Sequence, residues 1–212
     1  MLDAKSPWFI AYATATVVHL VLLGADVTPY DSITKCVLAP LLVAWVITAG
    51  GPRILAAALF FCFLGDLFLE IEDLFTVGMA AFAVAHVLFI RYFVARGALA
   101  GIRRSPWFLL IGLVAAAGLI AACWSGLPAD LKPLVPIYAL LLLSTAATAL
   151  AVNTTAGLGA VAFLISDSII ALGESGRVDP ESTVPEVAIM VLYLSAIYLL
   201  ARGIMEQENK KK

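Results

Sequence analysis

Asp66 and Asp167 lie in strongly apolar surroundings, in Phe63-Leu64-Gly65-Asp66-Leu67-Phe68-Leu69 and Phe163-Leu164-Ile165-Ser166-Asp167-Ser168. An aspartate near the centre of a membrane span costs at least about 2.5–3.5 kcal/mol, so it must face protein or water. Two carboxyl groups sharing one low-dielectric pocket resist double ionisation, so one keeps its proton while the other is charged. That pairing equips a site for general acid–base chemistry and for hydrolysis through an oxocarbenium-like state. By itself it names no substrate.

Further polar groups gather toward the same end of the chain's apolar segments. Lys35 stands near one end of the second segment, and Tyr138 lies about 10 Å inside the sixth. Glu70 follows Asp66 by four residues and shares its helix face. Gly65 allows another helix to come close beside Asp66. His86, Ser166 and Ser168 complete the candidate substrate-binding set. A wet pocket lined by Asp66, Asp167 and Lys35 accommodates these charges. Each group also has a plainer alternative: Lys35 can snorkel to the surface, the serines can bond their own helix carbonyls, and His86 can be a packed core residue. His19 reads as a passive helix residue.

Other chemistries are disfavoured. Two histidines cannot build a three-histidine zinc site, there is no H-E-x-x-H, and His19 and His86 differ in depth, so no metal or cofactor is expected. No G-x-S-x-G elbow is present. Cys36, Cys62 and Cys123 sit singly inside apolar runs and suit neither a disulfide framework nor a zinc ribbon.

The elements that position these residues follow from composition. The 212 residues are 63% apolar and 13% charged, with a net charge of −2, which leaves no basic field for nucleic acid. A mean hydropathy of +1.03 is too high for a soluble core that must present a wet surface. The chain reads as an all-α, polytopic membrane bundle forming a single transmembrane domain over 1–212. Breaks at charged, glycine and proline clusters predict eight spans: 6–24, 33–48, 53–71, 74–95, 106–124, 131–152, 156–173 and 184–202. Each is near the roughly 17–25 residues that a span needs, and the first is read as a retained helix rather than a signal peptide.

Loop charges predict sidedness. Lys5, Arg53, Arg96, Arg103, Arg104, Arg202 and Lys210 to Lys212 fall on one side, with Arg91 nearby. The opposite side carries Lys132, Arg177 and Lys35 beside Asp26, Asp31, Glu70, Glu72, Asp73, Asp130, Glu174, Asp179, Glu181 and Glu186. The bias places both termini in the cytoplasm, at the inner membrane of a bacterial host. Trp8, Trp107 and Trp124 then fall at the interfaces as anchors. Asp66 and Asp167 lie at one depth, each about 8–9 Å inside the outer end of its span.

The chain also echoes itself at an offset near one hundred. Ser6-Pro7-Trp8-Phe9 returns as Ser105-Pro106-Trp107-Phe108, Phe63-Leu64 as Phe163-Leu164, and Asp66 as Asp167. Lys35 with Pro40 is answered by Lys132 with Pro136. The spacing predicts two parallel four-helix repeats over 1–95 and 106–202, related about the membrane normal.

The order Lys35…Pro40-Leu41-Leu42, Leu64-Gly65-Asp66, Gly78…Phe82…Ala85-His86, Tyr138 and Gly159-Ala160…Phe163…Ser166-Asp167-Ser168 resembles the lysoplasmalogenase family of eight-span membrane proteins, also called the YhhN family. The glycine–aspartate and Ser-Asp-Ser elements are its most specific parts. Cys36 departs from the family's Lys-Pro pair, and Phe89 stands where tyrosine is common. The resemblance implies hydrolysis of the vinyl ether bond of lysoplasmalogen, giving a fatty aldehyde and a glycerophosphocholine or glycerophosphoethanolamine. Its partners are then a lysophospholipid substrate and membrane lipids. The resemblance implies Asp66 and Asp167 as the catalytic acids, Lys35 as the phosphate contact and His86 as an orienting group. A proton-coupled transporter of lipid or small solutes is the rival reading, because paired intramembrane acids and parallel repeats serve that function too. A non-catalytic scaffold fits the buried acids less well.

Overall fold

A computed structural model describes residues 6–104, 106–179 and 182–210. Lys5, Ser105, Glu181, Lys211 and Lys212, used above for sidedness or for the repeat, lie outside the described residues. All regular structure among the described residues is helical: α1 Pro7–Gly24, α2 Tyr30–Thr48, α3 Arg53–Leu69, α4 Phe75–Val94, α5 Ala98–Arg104, α6 Trp107–Cys123, α7 Leu134–Leu150, α8 Thr154–Glu174 and α9 Thr183–Asn209.

Proline and asparagine mark the helix starts. Pro7 opens α1, where a missing N–H costs nothing. Pro29, Pro52 and Pro133 stand at the N-caps of α2, α3 and α7. The Asn153 side chain accepts a 2.9 Å hydrogen bond from the Ala156 N–H and caps α8.

The eight long helices fall on the predicted segments, with three differences. The second starts three residues early, directly after Pro29. The sixth starts at Leu134, because Leu131 to Pro133 form a turn. The last continues to Asn209, past Arg202, where the predicted span ends. Its polar extension is tied down: Arg202 Nε donates to Glu206 Oε1 at 2.8 Å, and Glu208 accepts from Tyr92 and Arg96. The short α5 occupies the basic connection between the fourth and fifth predicted spans.

Five helices, α1, α2, α4, α8 and α9, are long and apolar enough to cross a membrane, and α5 with α6 taken as one bent element makes a sixth. With 17 residues each, α3 and α7 extend about 25 Å, short of a hydrocarbon core of about 30 Å. The protein is thus an all-helical integral membrane protein.

Neighbours in sequence pack together, α1 on α2, α2 on α3, α3 on α4, α7 on α8 and α8 on α9. The two halves of the chain meet where α4 packs on α7 and where α9 packs on α1 and α2. The core is large and apolar, with Leu38, Trp45, Leu59, Phe89, Phe163 and Leu200 fully buried or nearly so. Branched side chains such as Val17, Val21 and Val114 point outward, as lipid-facing positions would. Gly65 permits one close approach: a Cβ there would lie 2.5 Å from the Phe82 ring of α4.

Candidate active site

The segment Leu64 to Leu69 is apolar apart from Gly65 and Asp66, so α3 forms on propensity and packing and carries its carboxyl inward beside Gly65. Asp66 is buried, three residues before the end of α3. Asp167 projects from α8, seven residues before Glu174. These positions are about 4–5 Å and 10–11 Å from the helix ends, in place of the 8–9 Å expected for both. The reason is that α3 stops at Leu69 whereas α8 runs on to Glu174.

Both aspartates line one cavity of about 400 Å³, a volume within the range of small-molecule sites. Each has a tyrosine partner from another helix. The Tyr193 hydroxyl of α9 donates to Asp66 Oδ2 at 2.6 Å, and the Tyr138 hydroxyl of α7 donates to Asp167 Oδ2 at 2.6 Å. Lys35 also lines the cavity, and its Nζ lies 2.6 Å from Glu70 Oε1 in a partly exposed ion pair. Apart from these groups, two serines and Glu174, the walls are made of alanine, leucine, isoleucine and other apolar side chains.

The remaining predicted residues are placed less directly. Ser166 and Ser168 line the cavity, but their hydroxyls donate to the carbonyls of Ile189 (3.0 Å) and Leu164 (2.7 Å). Ser168 therefore makes the own-helix bond that was its plainer alternative, while Ser166 ties α8 to α9. Glu70 meets the site through Lys35 rather than by lining it. His86 is fully buried and does not line the cavity. Its ring packs edge-on against Phe163 with centroids 4.6 Å apart and against Tyr138 at 5.8 Å. The single hydroxyl proton of Thr145 goes to the Leu141 carbonyl, so His86 Nδ1–H donates to Thr145 at 3.1 Å. The direct contact expected of His86 is replaced by a supporting place behind Tyr138.

His19 is likewise outside the cavity. Its Nδ1 donates to the Asp31 carbonyl and to Thr34 Oγ1 at 3.1 and 3.0 Å. Among the described residues no group of three His, Cys, Asp or Glu side chains could hold a metal ion.

Tyr193 was missed by sequence reasoning. A tyrosine in an apolar helix looks like core, but a buried phenol hydroxyl needs a partner, and that requirement was the available signal. Tyr193 also forms an edge-to-face cluster with Phe82 and Phe163, its ring 5.9 and 5.4 Å from theirs. Phe82 and Tyr193 also line the cavity.

Two carboxyl groups thus share one apolar cavity inside an all-helical membrane protein. The YhhN family model matches residues 30–204, and the chain belongs to the YhhN family. It is 29% identical over 158 residues to lysoplasmalogenase TMEM86B of Homo sapiens, an alignment covering 74% of this chain and 66% of the human protein. It is 28% identical to lysoplasmalogenase TMEM86B of Sus scrofa, across 97% of this chain and 88% of the relative. No solved structure matches.

Proposed function

We propose that the protein is a membrane-embedded hydrolase that cleaves the vinyl ether bond of a lysoplasmalogen to a fatty aldehyde and a glycerophosphocholine or glycerophosphoethanolamine. The observation that carries this reading is the pair of aspartates on one apolar cavity, each held by a tyrosine hydroxyl. Family membership and the names of the two relatives supply the substrate class.

The chemistry follows from the charges. Lys35 is the one Lys or Arg among the described cavity-lining residues, and it pairs with Glu70, one helical turn beyond Asp66. Asp66 is accordingly assigned the ionised state and Asp167 the shared proton. Asp167 gives that proton to the β-carbon of the alkenyl chain, and the C=C electron pair forms the new C–H bond. The oxocarbenium ion left at the ether carbon is stabilised by Asp66, which takes a proton from the attacking water. The hemiacetal then breaks at the bond to the glycerol oxygen. Asp66 returns its proton to that oxygen while Asp167 accepts the hemiacetal hydroxyl proton, which restores both groups and frees the aldehyde.

In the same reading the bundle crosses the membrane eight times, with both termini cytoplasmic and the cavity mouth at the acidic, external end. The halves 1–95 and 106–202 form parallel repeats. Lys35 receives the phosphate of a lysolipid whose head group stays near water.

Aldehyde release from lysoplasmenylethanolamine by purified protein in detergent tests the proposal. The reaction run in D2O should place one deuterium on the carbon next to the aldehyde. A proton-coupled transporter would release no aldehyde and would act only in sealed vesicles.

A further inference from the structure

The cavity offers a lipid tail no straight route into the bundle. Phe82 and Tyr193 line it and pack edge-to-face on each other and on Phe163, one turn before Asp167, with ring centroids 5.4–5.9 Å apart. Phe82 is itself wedged on Gly65. On the side of α7 the seam is shut where Gly112 of α6 meets Leu143, since a Cβ at Gly112 would lie 2.3 Å from Leu143 Cδ1. A tail bound at the acids must therefore turn.

The wall formed by α6 shows where. Ala115 lines the cavity, and it also lines a second, wholly apolar groove with Trp107, Leu110, Ile111 and Val114. These groove positions follow the helical spacing of one face. The two features meet at Ala115, whose methyl group is the smallest side chain in the groove. Of α6 itself only Cys123 is buried among its described residues, and Trp107, Ile111 and Val114 are strongly exposed. From Ala115 to Trp107 the groove runs about 12 Å along α6.

We infer that the substrate's alkyl chain leaves the cavity sideways over Ala115 and lies along the outer face of α6, from Val114 to Trp107. The inference rests on the hydrolase reading above. It makes Ala115 the threshold between reacting bond and tail, and it places the tail in contact with the bilayer instead of in a closed tunnel. Long and short chains then share one catalytic pocket but differ in their use of α6.

The test is turnover of two lysoplasmenylethanolamines, one hexadecenyl and one butenyl, by the purified full chain. The variants are Val114→Trp and Ile111→Trp in the groove, both outside the cavity lining, with Ala117→Trp as a control that lines neither feature. Both test variants should lower kcat/KM for the hexadecenyl lipid by about tenfold or more, mainly through KM. Butenyl turnover should stay within about twofold of wild type, as it should for the control with both lipids. Butenyl turnover also reports that each variant is folded. Unchanged hexadecenyl turnover in both variants, or an equal loss on both lipids, would overturn the inference while leaving the hydrolase reading intact. A wild-type protein that cleaves neither lipid overturns that reading instead.

Discussion

The Tyr193 hydroxyl lies 2.6 Å from Asp66 Oδ2, joining α9 to α3 across 127 residues of sequence. The bond fixes the carboxyl that the proposed mechanism uses to stabilise a cation and activate water. Tyr193→Phe keeps the ring and its packing on Phe82 and Phe163 but removes the donor. An acceptor left unsatisfied in a buried site costs about 1–3 kcal/mol. The expected result is a fall in kcat of about tenfold or more with KM little changed, measured by steady-state aldehyde release.

Tyr138→Phe should act on the other carboxyl in the same way, because Tyr138 is the donor to Asp167. Since the two tyrosines serve different acids within one unit, the double variant should lose less than the product of the two single effects. Rates of the four proteins in that cycle give the answer, and strict additivity would separate the two carboxyls functionally.

Lys35, which lines the cavity, forms an ion pair with Glu70. In Lys35→Ala the phosphate contact is lost, so KM for a phosphate-bearing lysolipid should rise about tenfold or more while kcat changes less. Glu70→Gln should leave Lys35 available and have a smaller effect. A kcat loss that exceeds the KM rise in Lys35→Ala would place Lys35 in the chemical step instead.

Sidedness is open to labelling with a membrane-impermeant maleimide in intact cells. Asp26→Cys lies in the acidic connection after α1 and should react from outside, whereas Arg103→Cys in α5 should react only after the membrane is opened. Cys62 and Cys123 are buried and should remain silent, and Cys36 is replaced in the background. The reverse pattern would move the cavity mouth to the cytoplasmic side.

Much of the site was legible because charge inside an apolar run is costly, and that cost points to Asp66 and Asp167 without any structure. Lys35 was legible for the same reason, and Tyr138 because a hydroxyl inside a span needs a partner. His86 carried two readings, because sequence fixes its helix but not which side of a packed aromatic layer its ring takes. Tyr193 escaped notice because its partner lies on a helix far away in the chain, and no local pattern encodes that pairing. The long helices were readable from apolar runs broken by proline and charge. The reach of α9 was not, because Arg202, Glu206 and Glu208 look like a solvated tail until Tyr92 and Arg96 are found beside Glu208. The connection that became α5 carries basic residues that charge patterning assigns to a surface, and its helical form depends on packing against α7.

The central claim is that Asp66 and Asp167 act together as acid and base, and one measurement addresses it directly. Aldehyde release from lysoplasmenylethanolamine is compared for the wild type, Asp66→Asn, Asp167→Asn and the double variant, each purified and shown by circular dichroism to keep its helical content. Asparagine preserves shape while removing proton transfer. The account predicts that each single variant loses about 100-fold or more in kcat and that the double variant is little worse than the poorer single one. Near-wild-type hydrolysis by both single variants would contradict it and make the two aspartates structural.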